Sequence, residues 1–242
     1  MDDAASDFFL QLVHSLKRMK LPSMSMRKYL AEMVGTYALV FAGTGAVVID
    51  DVTRGGVTHV GIAITFGLVV MALIYALGDV SGAHFNPAVT AGFCLAGRLA
   101  PRRVPIYWLA QLAGAFAASS SLLLIFGNRA SLGATLPAGA AMQSFFLEII
   151  LTAILMFVIL CVATGSKEVG AMAGIAVGGV VGLEAMFAGP ISGASMNPAR
   201  SLAPAVVSGN LHALWIYIAA PLAGTLIAVP LWAVICPRPI VE

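Results

Sequence analysis

The sequence predicts an all-α membrane protein with six transmembrane helices plus two re-entrant half-helices in an inverted repeat. Three observations lead there. Of 242 residues, 60% are hydrophobic and 10% charged, which is too little polar surface for a soluble domain of this size. Six apolar stretches reach the roughly 20 residues that a helix needs to cross a bilayer. The tripeptide Asn-Pro-Ala occurs twice, at Asn86-Pro87-Ala88 and Asn197-Pro198-Ala199, with the two asparagines 111 residues apart. Each copy lies in a longer matched phrase, SGAHFNPAVT from Ser81 to Thr90 and SGASMNPARS from Ser192 to Ser201.

Taken in order, residues 1–28 are a mixed, partly amphipathic lead whose apolar run is short for a cleaved signal sequence. They are expected to form a cytoplasmic tail at the membrane surface. Residues 29–236 form one channel-like domain, with a first repeat over 29–126 and a second over 143–236. The spans of the first repeat are 29–50, 57–78 and 104–126, and those of the second are 143–164, 170–188 and 211–236. Two shorter apolar segments remain, 86–97 and 197–207. At ~1.5 Å per residue each covers ~17 Å, about half of a ~30 Å hydrocarbon core, so neither spans alone. Asn86 and Asn197 are strong N-cap residues, Pro87 and Pro198 suit the first helical position, and Gly82 and Gly193 let the chain reverse just before.

With three full spans per half, the second half enters the membrane opposite to the first, an inverted repeat. Further matched pairs support the register. Glu32-x-x-x-Thr36 answers Glu148-x-x-x-Thr152, and QLAGA at Gln111 to Ala115 answers PLAGT at Pro221 to Thr225. Orientation follows from the basic residues. Lys17, Arg18, Lys20, Arg27, Lys28, Arg98, Arg102, Arg103, Lys167 and Arg238 fall on one side, against Arg54 and Arg129 on the other. Both termini are therefore expected in the cytoplasm, with the chain as a multi-pass protein of the plasma or inner membrane.

Net charge is +2 and no basic block is long enough to suggest nucleic acid. Cys94, Cys161 and Cys236 fall in apolar segments without metal-ligand or CxxC spacing, so they read as small buried hydrophobes rather than a disulfide framework. No catalytic or metal-binding constellation is present and no cofactor is expected, which argues against an enzyme.

Non-helical backbone at membrane depth is tolerated when buried in protein or lining a water-filled cavity, so two half-helices meeting at the midplane imply a pore. Loop carbonyls would face its lumen. The amide NH2 groups of Asn86 and Asn197 would remain as donors once their oxygens are used in capping. Both half-helix N-termini would present positive dipole ends to the centre, a barrier to protons and other cations that leaves neutral molecules largely unaffected. A single Asn-Pro-Ala would be an ordinary helix cap, but two copies in matched phrases, each opening a half-length segment, make that improbable.

On these motifs the chain resembles the aquaporin, or major intrinsic protein, family from about Arg27 to Cys236. The run MFAGPISGASMNPARSLAPA, Met186 to Ala205, further resembles the nodulin-26-like subgroup of plants and its bacterial relatives. The resemblance implies a homotetramer with one pore per subunit. It also implies an outer selectivity filter at four positions counted from the asparagines: Phe66, Ala185, Ala194 and Arg200. Water-selective members usually carry His where Ala185 stands, so a wider, less polar filter is implied here. Nodulin-26-like proteins often have Trp or a small residue in place of Phe66, a departure in this chain. Ser201 and Ala205 resemble water channels more than glycerol facilitators.

Glu32 and Glu148 are read as braces accepting N–H bonds from the two re-entrant loops, in preference to proton-coupling carboxylates. His84 is likewise read as bracing its loop, with gating of the cytoplasmic mouth as the alternative. Asp79 is expected near the cytoplasmic loop. Glu184 has no counterpart in the other half and is read first as a buried anchor for the outer loop, second as charge near the filter. Trp108, Trp215, Trp232, Tyr107 and Tyr217 read as aromatics at or near span ends or interfaces, where aromatic belts are usual, without a transport role. Glycines such as Gly35, Gly43, Gly67, Gly114, Gly178, Gly179 and Gly224 read as helix-crossing residues without a transport role. The expected function is a passive channel for water and small uncharged solutes such as glycerol, urea, arsenite or boric acid. An ion-coupled secondary transporter is the alternative.

Overall fold

The structure, a computed structural model, describes residues 23–236. Most of the expected tail, residues 1–22, and Arg238 lie outside the described residues. The described chain is helical throughout, without strands. The first repeat comprises α1 (Met24–Val52), α2 (Thr58–Ser81), the half-helix α3 (Pro87–Leu95) and α4 (Val104–Phe126). The second comprises α5 (Ala141–Thr164), a single turn α6 (Lys167–Ala171), α7 (Ala173–Ser192), the half-helix α8 (Pro198–Ser208) and α9 (Leu214–Ile235). Six helices are long and apolar enough to cross a membrane: α1, α2, α4 with the 3-10 turn before it, α5, α7 and α9.

Most boundaries follow local chemistry. Helix α1 starts five residues before the expected span because the Ser23 hydroxyl caps it, accepting from the Met26 N–H at 3.3 Å. Asp50 reaches across the next turn to accept from the N–H groups of Val57 (3.1 Å) and Thr58 (2.7 Å), fixing the start of α2. The expected span 170–188 is shifted to 173–192. Ser166 caps the separate turn α6, accepting from Val169, and the chain resets at Met172. Helix α7 then runs through Pro190, beyond the end of the expected span at 188. Proline lacks the N–H that would bond the Met186 carbonyl, but that carbonyl lies 2.7 Å from Nε2 of His59, so the orphaned acceptor is satisfied.

Packing repeats the internal symmetry. Helix α1 packs on α4, α5 packs on α9, and α2 packs on α7 where the halves meet. All three contacts depend on glycine. Gly114 of α4 lies against the Met33 carbonyl, and its counterpart Gly224 of α9 against the Ile149 carbonyl, so closely that a Cβ on either would overlap the opposing backbone. Between the halves the contact is reciprocal. A Cβ on Gly67 would stand 2.7 Å from the Gly178 carbonyl oxygen, and one on Gly178 would stand 2.6 Å from the Gly67 oxygen. Gly35 and Gly43 of α1 leave room for the rings of Phe85 and Phe66.

All five aromatics stand near the ends of α4 or α9 as expected, but four of them are packed into the protein. Tyr107, Tyr217 and Trp232 are buried, and Trp108 is half-buried with its indole N–H on the Pro87 carbonyl at 3.0 Å. Each faces a neighbouring helix, which span-end position alone does not reveal. Trp215 is half-exposed, in keeping with the interfacial reading.

Candidate functional site

Helices α2 and α7 each end in a left-handed glycine, Gly82 at φ 92° and Gly193 at φ 84°. Left-handed residues recur at matched positions beyond them: Ala83 (φ 50°) and Phe85 (φ 49°), Ala194 (φ 42°) and Met196 (φ 53°). Non-glycine residues in this region are uncommon and costly, so the surrounding bonds must hold them there.

Those bonds come from the paired glutamates. Glu32, fully buried, accepts from the Ser81 hydroxyl (2.7 Å), the N–H groups of His84 (2.9 Å) and Phe85 (2.8 Å), and the Gln111 amide (2.8 Å). Glu148 does the same for the second loop, accepting from the Ser192 hydroxyl (2.7 Å) and the N–H groups of Ser195 and Met196 (2.8 Å each). The symmetry breaks at one place. Pro221 stands where Gln111 stands in the first half, so Glu148 lacks that fourth donor.

The two Asn-Pro-Ala segments open their half-helices as capping requires. The Asn86 side-chain oxygen accepts from Ala88 at 2.8 Å, and that of Asn197 from Ala199 at 3.0 Å and Arg200 at 3.3 Å. Their nitrogens depart from expectation. The Asn86 amide donates to the Met196 carbonyl (2.7 Å) and the Asn197 amide to the Phe85 carbonyl (2.9 Å), so each loop is bonded to the other. One N–H per asparagine is thereby spent, leaving one at each rather than a free NH2 group. The strained Phe85 and Met196 are the residues whose carbonyls receive these bonds.

A cavity is lined by the residues of this junction, Phe85, Asn86, Met196 and Asn197. Its lining also includes Phe66, Ala185, Ala194 and Arg200, and His84, Phe93, Val162 and Ala173. The guanidinium of Arg200 lies 4.9 Å above the Phe66 ring centroid and donates from Nη1 to the Gly133 carbonyl at 2.7 Å. Thr135 donates to Ser201 at 2.7 Å, holding the same connecting segment on α8. His84 is buried, 3.1 Å from the Thr90 hydroxyl through Nδ1 and stacked on Phe93.

Gln111, Ser81 and Ser192 were missed as loop braces. The serines were legible as repeated residues in the matched phrases. Gly133 and Thr135 lie between the repeats, with no counterpart to mark them. Glu184 is buried, yet neither carboxylate oxygen has a hydrogen-bond partner among the described residues. The outer-loop anchor reading is therefore corrected: a carboxylate anchors by accepting loop N–H groups, and none reaches it. Asp79 is exposed near the end of α2.

Six spanning helices around a passage, with two half-helices meeting inside it, define a membrane channel. The sequence pattern described as "Major intrinsic protein" matches residues 19–232. The chain belongs to the major intrinsic protein, or aquaporin, family, whose members are channels and not enzymes. It is 53% identical over 209 residues to "Aquaporin NIP1-4" of Oryza sativa subsp. japonica, covering 86% of this chain and 76% of that one. It is 46% identical over 202 residues to "Nodulin-26" of Glycine max, covering 83% and 74%. Its fold is similar to that in the X-ray structure of the aquaglyceroporin from Plasmodium falciparum, with a TM-score of 0.74 and 27% identity over 88% of this chain and 98% of that one.

Proposed function

We propose that the passage conducts water and small uncharged solutes, among them glycerol, urea, arsenite and boric acid, and excludes protons and ions. The carrying observation is the set of Phe66, Ala185, Ala194 and Arg200, all four of which line the cavity. It acts as the selectivity filter. Two alanines leave width, Phe66 supplies an apolar wall, and Arg200 supplies fixed donors and a positive charge that repels cations. At the junction, the remaining N–H of Asn86 and of Asn197 donate to a passing oxygen, while the two helix N-termini oppose a proton. Glu32, Glu148 and His84 brace the loops and take no part in conduction. The name of the similar aquaglyceroporin favours glycerol among the solutes.

The chain assembles as a homotetramer in the plasma or inner membrane, with residues 1–28 as a cytoplasmic tail ahead of one channel domain over 29–236. Both termini face the cytoplasm, on the side where Arg98, Arg102, Arg103 and Lys167 lie. Stopped-flow light scattering on vesicles holding the purified protein tests the reading, with water, glycerol, urea, arsenite and boric acid compared against a trapped pH dye. Unsaturable flux of water and at least one solute is expected, with no channel-dependent collapse of a pH gradient. Flux that saturates and requires an ion gradient would establish the coupled-transporter alternative instead.

A further inference from the structure

The three cysteines are not equivalent. Cys161 lies in the last turns of α5, and Cys236 directly follows the last residue of α9. Their sulfurs stand 3.3 Å apart, although the residues are 75 positions apart in the chain. Both are half-buried. A second bond joins the same helix ends, from the Trp232 indole N–H to the Thr164 hydroxyl at 3.3 Å. The neighbours of Cys161 line the cavity, Val162 and Ala163 from the end of α5 and Ala173 from the start of α7. The third cysteine, Cys94, is on α3.

We propose that Cys161 and Cys236 are an oxidative modification site, a thiol pair that hydrogen peroxide converts to a disulfide beside the passage. A disulfide needs an S–S separation of about 2.05 Å, so the sulfurs must approach by roughly 1.3 Å from their present contact. The backbone favours that movement. Cys236 is past the last helical turn, at φ −110° and ψ 74°, and its side chain swings without unwinding α9. In the first step one thiolate attacks an oxygen of the peroxide, the O–O bond breaks, and hydroxide leaves the sulfur as a sulfenic acid. In the second, the other thiol attacks that sulfur and its proton leaves with the expelled hydroxyl as water, while the proton that the first thiol lost on forming its thiolate neutralises the hydroxide from the first step. Two thiols and one peroxide thus give one disulfide and two waters. Disulfides in reducing compartments are usually transient and redox-sensing. The product would tie the α5 end that lines the cavity to the end of α9. This inference rests on the two thiols and not on the identity of the conducted solute.

The test uses the purified full chain in detergent, reduced and then titrated with hydrogen peroxide. Free thiols are counted with a maleimide, and peptides are mapped without reduction. The expected result is loss of two of three thiols, a peptide joining 161 to 236, and recovery of both thiols with dithiothreitol. Cys94→Ser should leave the cross-link intact and no free thiol after oxidation. Cys161→Ser should abolish the cross-link. Retention of all three thiols in wild type, or their loss without the joined peptide, overturns the proposal, as does a disulfide that includes Cys94.

Discussion

Ala185 and Glu184 are adjacent on α7, yet one borders the cavity and the other points into protein. Ala185→His is predicted to place a ring opposite Arg200 and narrow the passage. A misfit of about 1–3 kcal/mol at the narrowest point lowers glycerol or arsenite flux on the order of tenfold or more, while single-file water continues. Stopped-flow permeability ratios check this, and an unchanged glycerol-to-water ratio would place the constriction elsewhere. Glu184 gives the opposite kind of prediction. A buried carboxylate without a partner destabilises its surroundings, and replacing buried ionisable groups with apolar residues of similar size is often neutral or stabilising. Glu184→Met should leave the thermal midpoint of the solubilised protein equal or higher. A marked drop would mean that the carboxylate has a structural partner.

The re-entrant loops depend on bonds that converge from distant elements. Glu148→Gln should destabilise more than Glu32→Gln. In each variant a new NH2 group faces a donor it cannot bond, and an orphaned buried donor costs about 1–3 kcal/mol. Gln111 can rotate its amide and offer oxygen Oε1, which has no partner among the described residues, to the new amide at position 32. At position 148 the matched residue is Pro221, which has no amide to offer. Thermal unfolding of the two variants in the same detergent decides the order. Asn86→Leu and Asn197→Leu each remove a cap worth about 1 kcal/mol, and with it the bond to the opposite loop. Reduced yield of folded protein is expected for both, and normal yield with normal flux would show the caps dispensable.

At the scale of the whole molecule, the halves meet where Gly67 and Gly178 bring α2 and α7 into backbone contact. Gly178→Val should separate these helices and lower stability by about 1–3 kcal/mol, the usual range for overpacking. Gly179→Val is the control, since a Cβ there meets nothing within 4 Å. Size-exclusion profiles and thermal midpoints of the pair test this directly. Equal behaviour would remove the close crossing as a determinant of the fold.

The sequence by itself determined the spans, the half-helices and their inverted relation. Span length follows from apolar run length, helix starts follow from Asn-Pro, and symmetry follows from the matched phrases. Each of these is written in residues close together or repeated. Glu32 and Glu148 were legible as braces because the repeat pairs them, whereas the serines that join them, Ser81 and Ser192, were visible only as repeated residues. Tertiary structure alone decided where the asparagine amides go, since their acceptors lie 110 and 112 residues away. It also decided that Gly133, in a segment with no counterpart in the repeat, receives Arg200, and that Glu184 anchors no loop. The contact of Cys161 with Cys236 belongs to the same group. Composition and periodicity state which faces are buried, whereas a hydrogen bond or a thiol contact depends on ångström-scale separations that exist only once the helices have crossed.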